Sequence, residues 1–168
     1  MFKLLNKKKN NKGFTFVELV IVIAILAILV GLLAPQYTKY VEKTRKSADA
    51  SNMDEIVKVI KVYAADPANE LAMGDYVVTI GEGTTTTGTS VKFNNADITG
   101  GLKDELDEAV PSWTTLTTKS KKWNNDGSAA NIVATVNVNS EGGVSVTYTP
   151  DRFNNYMTTG STDAPANP

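Results

Sequence analysis

The sequence predicts an α+β protein in which one long N-terminal helix packs its second half on a small antiparallel β-sheet head. Three observations carry that prediction. An apolar stretch of about 21 residues, 14–34, is interrupted only by Thr15, Glu18 and Gly31. Apolar residues then recur at three- and four-residue steps as far as Ala64. After Pro67 the composition turns to Thr, Asn, Gly and Ser, with short β-branched runs between them.

The apolar stretch comes first. Lys3, Lys7, Lys8, Lys9 and Lys12 precede it with no acid among them, which leaves 12 of the 17 basic side chains against all 18 acidic ones from Phe14 onward. The basic end is expected to stay in the cytoplasm and the acidic remainder to cross. At about 1.5 Å per residue the stretch reaches roughly 30 Å, the thickness of a hydrocarbon core, so it can span a bilayer. The rival reading is a cleaved secretory signal cut after Ala34. Glu18 near the start of the run argues against it, and so does the helical pattern that continues past the cut. A carboxylate inside a span is costly and needs a partner or a reason.

The continuation is amphipathic. Tyr37, Tyr40, Val41, Thr44, Ala48, Met53, Ile56, Val57, Ile60, Tyr63 and Ala64 form one stripe, with Lys39, Lys43, Lys46, Asp49, Asp54 and Lys58 between them. The helix should stop near Asp66, because Pro67 disfavours helical geometry in the residue before it. That makes one element of about 52 residues, near 80 Å if unbroken. Pro35 removes the hydrogen bond its nitrogen would make to the carbonyl of Gly31, where the helix is already weak, so the helix is expected to bend or melt there.

The stretch "KGFTFVELVIVIAILAIL" resembles the N-terminal signature of type IV prepilins and the related pseudopilins. Gly13 matches the leader glycine, Phe14 the first mature residue and Glu18 the acidic fifth mature residue. The resemblance covers roughly the first 55 residues and implies a pilin fold. It implies that a prepilin peptidase cuts between Gly13 and Phe14 and that the Phe14 amine is N-methylated. An assembly ATPase and a membrane platform protein would then move subunits from the cytoplasmic membrane into a homo-oligomeric helical filament. It further implies that Glu18, with Thr15 beside it, serves assembly, the carboxylate pairing with the N-terminal amine of a neighbouring subunit. An extended stretch over Gly31–Pro35 is implied too. The expected organisation is a cleaved leader 1–13, a transmembrane and filament-core helix 14–36, an amphipathic half 37–66, a head 67–150 and a C-terminal tail 151–168.

In the head, residues 75–80, 90–93, 131–138 and 143–149 read as strands, the last two joined as a hairpin through "NSEGG". Residues 101–110 read as a short helix ending before Pro111. Its acids lack the spacing of a calcium loop and alternate with Leu102, Leu106 and Ala109, which is the pattern of a solvated helix face. The Gly/Thr loop 81–89 lacks the lysine of a phosphate-binding loop and reads as an exposed loop or candidate glycan site. Trp113 and Trp123 are candidate ligand contacts, since exposed aromatics can stack on sugars or bases. Lys119, Lys121 and Lys122 form a small basic cluster, read as a solvated loop with DNA contact as the alternative.

The chain has no Cys and no His, which removes disulfides, thiolate and imidazole metal sites and the commonest general base. No enzyme activity and no cofactor are expected. The leading expectation is a structural subunit, the major pilin of an extracellular type IV pilus that serves adhesion, surface motility or aggregation. A pseudopilin or minor pilin of a secretion or DNA-uptake machine is the alternative, and a pilin-anchored carbohydrate-binding adhesin is the third. Partners beyond the filament would be surface polysaccharide or DNA. The chain would sit as a single pass in a bacterial cytoplasmic membrane, leader inside and head outside, before joining a filament on the cell surface.

Overall fold

The computed structural model describes residues 13–69, 71–84, 86, 88–141 and 143–160. The chain divides into two compact units, Met1–Tyr40 and Val41–Pro168. Helix α1 (Phe16–Ala65) contributes to both and ends just before Asp66 and Pro67. The extended stretch expected over Gly31–Pro35 is absent: both residues lie inside α1, and the Thr38 hydroxyl donates to the Pro35 carbonyl at 3.0 Å. One proline removes one backbone bond from a helix of 50 residues. The established turns on either side hold the geometry against that local cost of about 3 kcal/mol.

In the first unit every described large apolar side chain from Phe14 to Leu33 is exposed, from 41% at Val20 to 87% at Phe14. This part of α1 is long and apolar enough to cross a membrane, and none of it is buried. Tyr37 and Tyr40, expected on the stripe facing the head, are exposed as well.

The second unit is the head. Here α1 buries Met53, Ile56, Val57 and Ile60, the three- and four-residue steps of a helix face. The same face carries two charged residues, Lys46 and Asp49, and both are buried. The periodicity argument set them between the apolar positions because of their chemistry, yet their numbering continues the stripe toward the N-terminus.

The α1 face packs on a five-stranded antiparallel sheet: β1 (Gly74–Ile80), β2 (Thr89–Phe93), β3 (Ala96–Asp97), β4 (Ile132–Val138) and β5 (Val144–Thr149), in the order β3-β2-β1-β4-β5. Alternation along the strands turns one side inward. Tyr76, Val78, Ile80, Val91, Ile132, Ala134, Val136 and Val138 are buried, while Asp75, Lys92 and Asn137 face out. The β4–β5 hairpin closes as expected, with the Asn139 carboxamide oxygen accepting from the Glu141 and Gly143 N–H groups at 3.0 and 2.6 Å. Helix α2 (Gly101–Ala109) buries Leu102 and Leu106 and turns Asp104, Glu105 and Glu108 to solvent.

One segment departs from expectation. Residues from 151 on were expected to form a tail, but Asp151–Thr159 is a third helix, α3, and its Phe153 is fully buried. Phe153 meets Trp123 edge-on at 4.9 Å and Tyr148 of β5 at 5.7 Å, so the core extends past the last strand. Residues 161–168 of the expected tail lie outside the described residues.

Candidate functional site

The site begins at the helix start. Gly13, Phe14 and Thr15 are non-helical and exposed, and a side chain at Gly13 would meet nothing within 4 Å. The bond between Gly13 and Phe14 is therefore open to a protease, two residues ahead of the first helical residue, Phe16. The leader ahead of it, residues 1–12, lies outside the described residues.

Helices need a cap because their first N–H groups have no partner within the helix. Here Thr15 supplies it. The Thr15 N–H and hydroxyl both donate to Glu18 Oε2, at 2.8 and 2.7 Å, and the Glu18 N–H donates back to the Thr15 hydroxyl oxygen at 3.3 Å. The first turn closes with the Leu19 N–H on the Thr15 carbonyl at 3.2 Å. This reciprocal arrangement is a capping box, typically built from Thr or Ser and a Glu or Gln three residues later. It gives Glu18 a local reason to sit at the edge of an apolar segment, and its charge complements the positive end of the helix dipole. Among the described residues the second oxygen, Oε1, accepts nothing. "TFVE" carries the capping signal in the sequence, beside the assembly reading of the same two residues.

A family model for the prokaryotic N-terminal methylation motif matches residues 8–34. The chain carries the class III signal peptide of type IV pilins. No curated protein and no solved structure matches it. The motif places Gly13, Phe14, Thr15 and Glu18 within one matched segment, together with the exposed apolar turns of α1. The motif supports a type IV pilin-like protein, and such a motif implies processing by a prepilin peptidase and filament assembly. An apolar N-terminal helix behind such a signal is consistent with membrane insertion followed by a place in a surface filament.

The head holds a second cluster, which sequence reasoning missed. Asp49 is 1% exposed and accepts three hydrogen bonds: Lys119 N–H on Oδ1 at 2.7 Å, and Ser120 N–H and the Trp123 indole N–H on Oδ2, both at 2.9 Å. The Ser120 hydroxyl donates to Glu42, and Lys46 places its ammonium 4.8 Å over the Trp123 ring. Burial pushes the Asp49 carboxyl above the usual aspartate range, while these three donors and the charge of Lys119 pull the other way. The arrangement ties the irregular segment after α2 to one face of α1. Lys46 and Asp49, seven and four residues before Met53 and so in step with the apolar positions of α1, with "SKKW" downstream, were the available signal.

The two tryptophans are corrected by the same geometry. Trp123 is fully buried, and Trp113 is 4% exposed with its indole N–H on Asp107 at 2.8 Å. Both are core residues with a satisfied polar edge, so neither offers a face on which a sugar or base could stack. Gly31 and Pro35 take no part in either cluster.

Proposed function

We propose that this protein is a structural subunit of an extracellular type IV pilus, cut between Gly13 and Phe14, methylated on the Phe14 amine and polymerised through the apolar half of α1. The observation that carries the reading is the methylation motif lying on a helix whose large apolar residues are exposed all round. A surface of that kind calls for lipid or for apolar protein surface against it, and other copies of the same helix offer one. Leader inside and head outside is the orientation that fits the basic leader. A major-pilin role is preferred, with adhesion, motility or aggregation as the filament's use. A pseudopilin or minor pilin would share the same N-terminal half, and abundance of the chain in sheared surface filaments separates the two. The adhesin reading loses its support with the burial of both tryptophans.

In this reading Glu18 does two things. Through Oε2 it caps its own helix, and through Oε1 it offers a carboxylate oxygen to the amine that cleavage creates on a neighbouring Phe14. A carboxylate in hydrocarbon is costly until a cation reaches it, so the pairing selects one axial register. Two substitutions separate the roles. Glu18→Gln keeps the capping box and deletes the charge, whereas Glu18→Ala deletes both. We expect both variants to be processed and to accumulate in the membrane fraction, with few sheared filaments. Wild-type filament yield from Glu18→Gln cells would confine Glu18 to capping.

A further inference from the structure

We propose that the head binds one neutral sugar ring, a single pyranose unit, in a cleft of about 310 Å³ where the last turns of α1, the β1–β2–β3 corner of the sheet and the start of α2 meet. The proposal concerns the head alone and stands whether or not the chain polymerises. The cleft has an aromatic floor. Asn94 and Asn95, with φ of 51° and 65°, turn β2 back into β3, which sets Ala96 opposite Phe93 and Asp97 opposite Lys92. Across the other ladder Phe93 stands opposite Tyr76, and the two rings stack with centroids 4.7 Å apart. Phe93 thus has a ring on one flank and only the methyl group of Ala96 on the other. It stays half-buried, where Tyr76 is 4% exposed. Two glycines let the aromatic rings into these places. A Cβ on Gly74 would lie 2.9 Å from Phe93 Cε2, and one on Gly101 would collide with the Tyr63 hydroxyl.

The polar groups around this floor are of both kinds, and they are unengaged. Among the described residues the hydroxyls of Tyr63 and Thr99 and the carboxylate of Asp97 have no hydrogen-bond or ion-pair partner. Lys92 makes no ion pair with Asp97 although it stands opposite, and Lys103 is taken by Asp107. Helix α2 starts on Gly100, which has no side chain to cap it, so the N–H groups of Gly101 and Leu102 at the cleft are donors without an acceptor.

This mixture sorts the ligand classes. An anion suits the start of α2 but meets Asp97, and a cation suits Asp97 but meets the positive end of the α2 dipole. A wholly apolar molecule would cover the polar groups without pairing them. A pyranose gives hydroxyl donors to the carboxylate, oxygen acceptors to the N–H groups and a C–H face to the open side of Phe93. Small-molecule sites run from about 300 to about 1,000 Å³, so the cleft suits one ring and not an oligosaccharide. It is separate from the Trp123 core, and Trp113 does not line it.

The test uses the full chain in an oligo(ethylene glycol) ether detergent, which carries neither sugar nor charge. Saturation-transfer NMR is run with glucose, galactose, mannose and N-acetylglucosamine as probes. At least one should receive saturation from the protein, strongest at its ring C–H protons. Ala96→Phe closes the open side of Phe93, and Asp97→Ala removes the carboxylate acceptor. Both residues are exposed, so each variant should unfold at the wild-type temperature while its Kd for that sugar rises about ten-fold or more. No transfer to any of the four sugars, or a Kd that both variants leave unchanged, would overturn the proposal. Tetramethylammonium and acetate are run in the same way. Saturation of either ion that depends on Asp97 or is lost in Ala96→Phe, with none at the sugars, would overturn it in favour of a charged ligand.

Discussion

Replacing Asp49 by Ala should destabilise the head more than any surface change. Three N–H donors lose their acceptor, and two of the donating residues, Ser120 and Trp123, are 0% exposed. Each buried donor left without a partner costs about 1–3 kcal/mol, while the Lys119 N–H, on an exposed residue, regains water. Relief from holding a carboxylate in the core returns part of this, so a net loss of about 3 kcal/mol is expected. For a domain of this size that lowers the unfolding midpoint by roughly 10 °C. The assay is thermal unfolding of the full chain in detergent, followed by tryptophan fluorescence, since both indoles are buried in the head. A midpoint within about 2 °C of wild type would refute the argument that Asp49 is the pin. Asp49→Asn adds a pH arm. Burial raises the folded carboxyl above its unfolded value, so the folded state holds the proton more tightly, and the resulting stability is present at low pH and lost as pH rises through the folded pKa. The variant does not titrate, so wild type should gain on it as pH falls from about 7 toward about 4. A gap that narrows over that range would contradict the raised pKa.

The remaining predictions concern the helix start and one turn. Thr15→Val removes the cap at a cost of about 1 kcal/mol, and amide exchange at Glu18 and Leu19 should quicken several-fold, whereas Thr15→Ser should match wild type. Equal exchange in all three would mean that the box does not hold the helix end. Mass spectrometry of chain recovered from cells should find a mature N-terminus at Phe14 bearing one methyl group, and a start after Ala34 would restore the secretory-signal reading. Gly88 has φ +79°, and a Cβ there would collide with the Thr114 carbonyl oxygen. Gly88→Ala should therefore lower the unfolding midpoint by several degrees, and an unchanged midpoint would show that the turn can relax.

Residue type decided what could be read in advance. The apolar half of α1, its end at Ala65 and the four longer strands follow from periodicity and from Pro, Gly and Asn punctuation, which act locally. The capping box is also local, and "TFVE" was sufficient to find it. Lys46 and Asp49 were hidden because a hydrophobicity pattern assigns charged residues to water. Their burial depends on donors 70 or more residues away, which no short window contains. Helix α3 was hidden for a related reason. "DRFNNYMTT" is weakly helical by itself, and it is stabilised by Phe153 closing on Trp123 and Tyr148. At Pro35 the local penalty did not melt the helix, because the turns on either side outweigh one lost backbone bond.

The capping geometry bears on how Glu18 could recognise a neighbour. A free glutamate side chain samples several rotamers, and ordering it for a new contact costs on the order of 1 kcal/mol or more. The two hydrogen bonds from Thr15 to Oε2 already fix that side chain against the helix start. In the proposed assembly an incoming amine would meet an oriented carboxylate whose Oε1 accepts nothing among the described residues, and the ordering cost would not fall on the docking step. This predicts that Thr15 matters to assembly through Glu18. Thr15→Val should lower filament yield in a background with Glu18 present and add nothing further once Glu18 is Ala. Additive losses in the double variant would show instead that the two residues act separately, with Thr15 serving the helix alone.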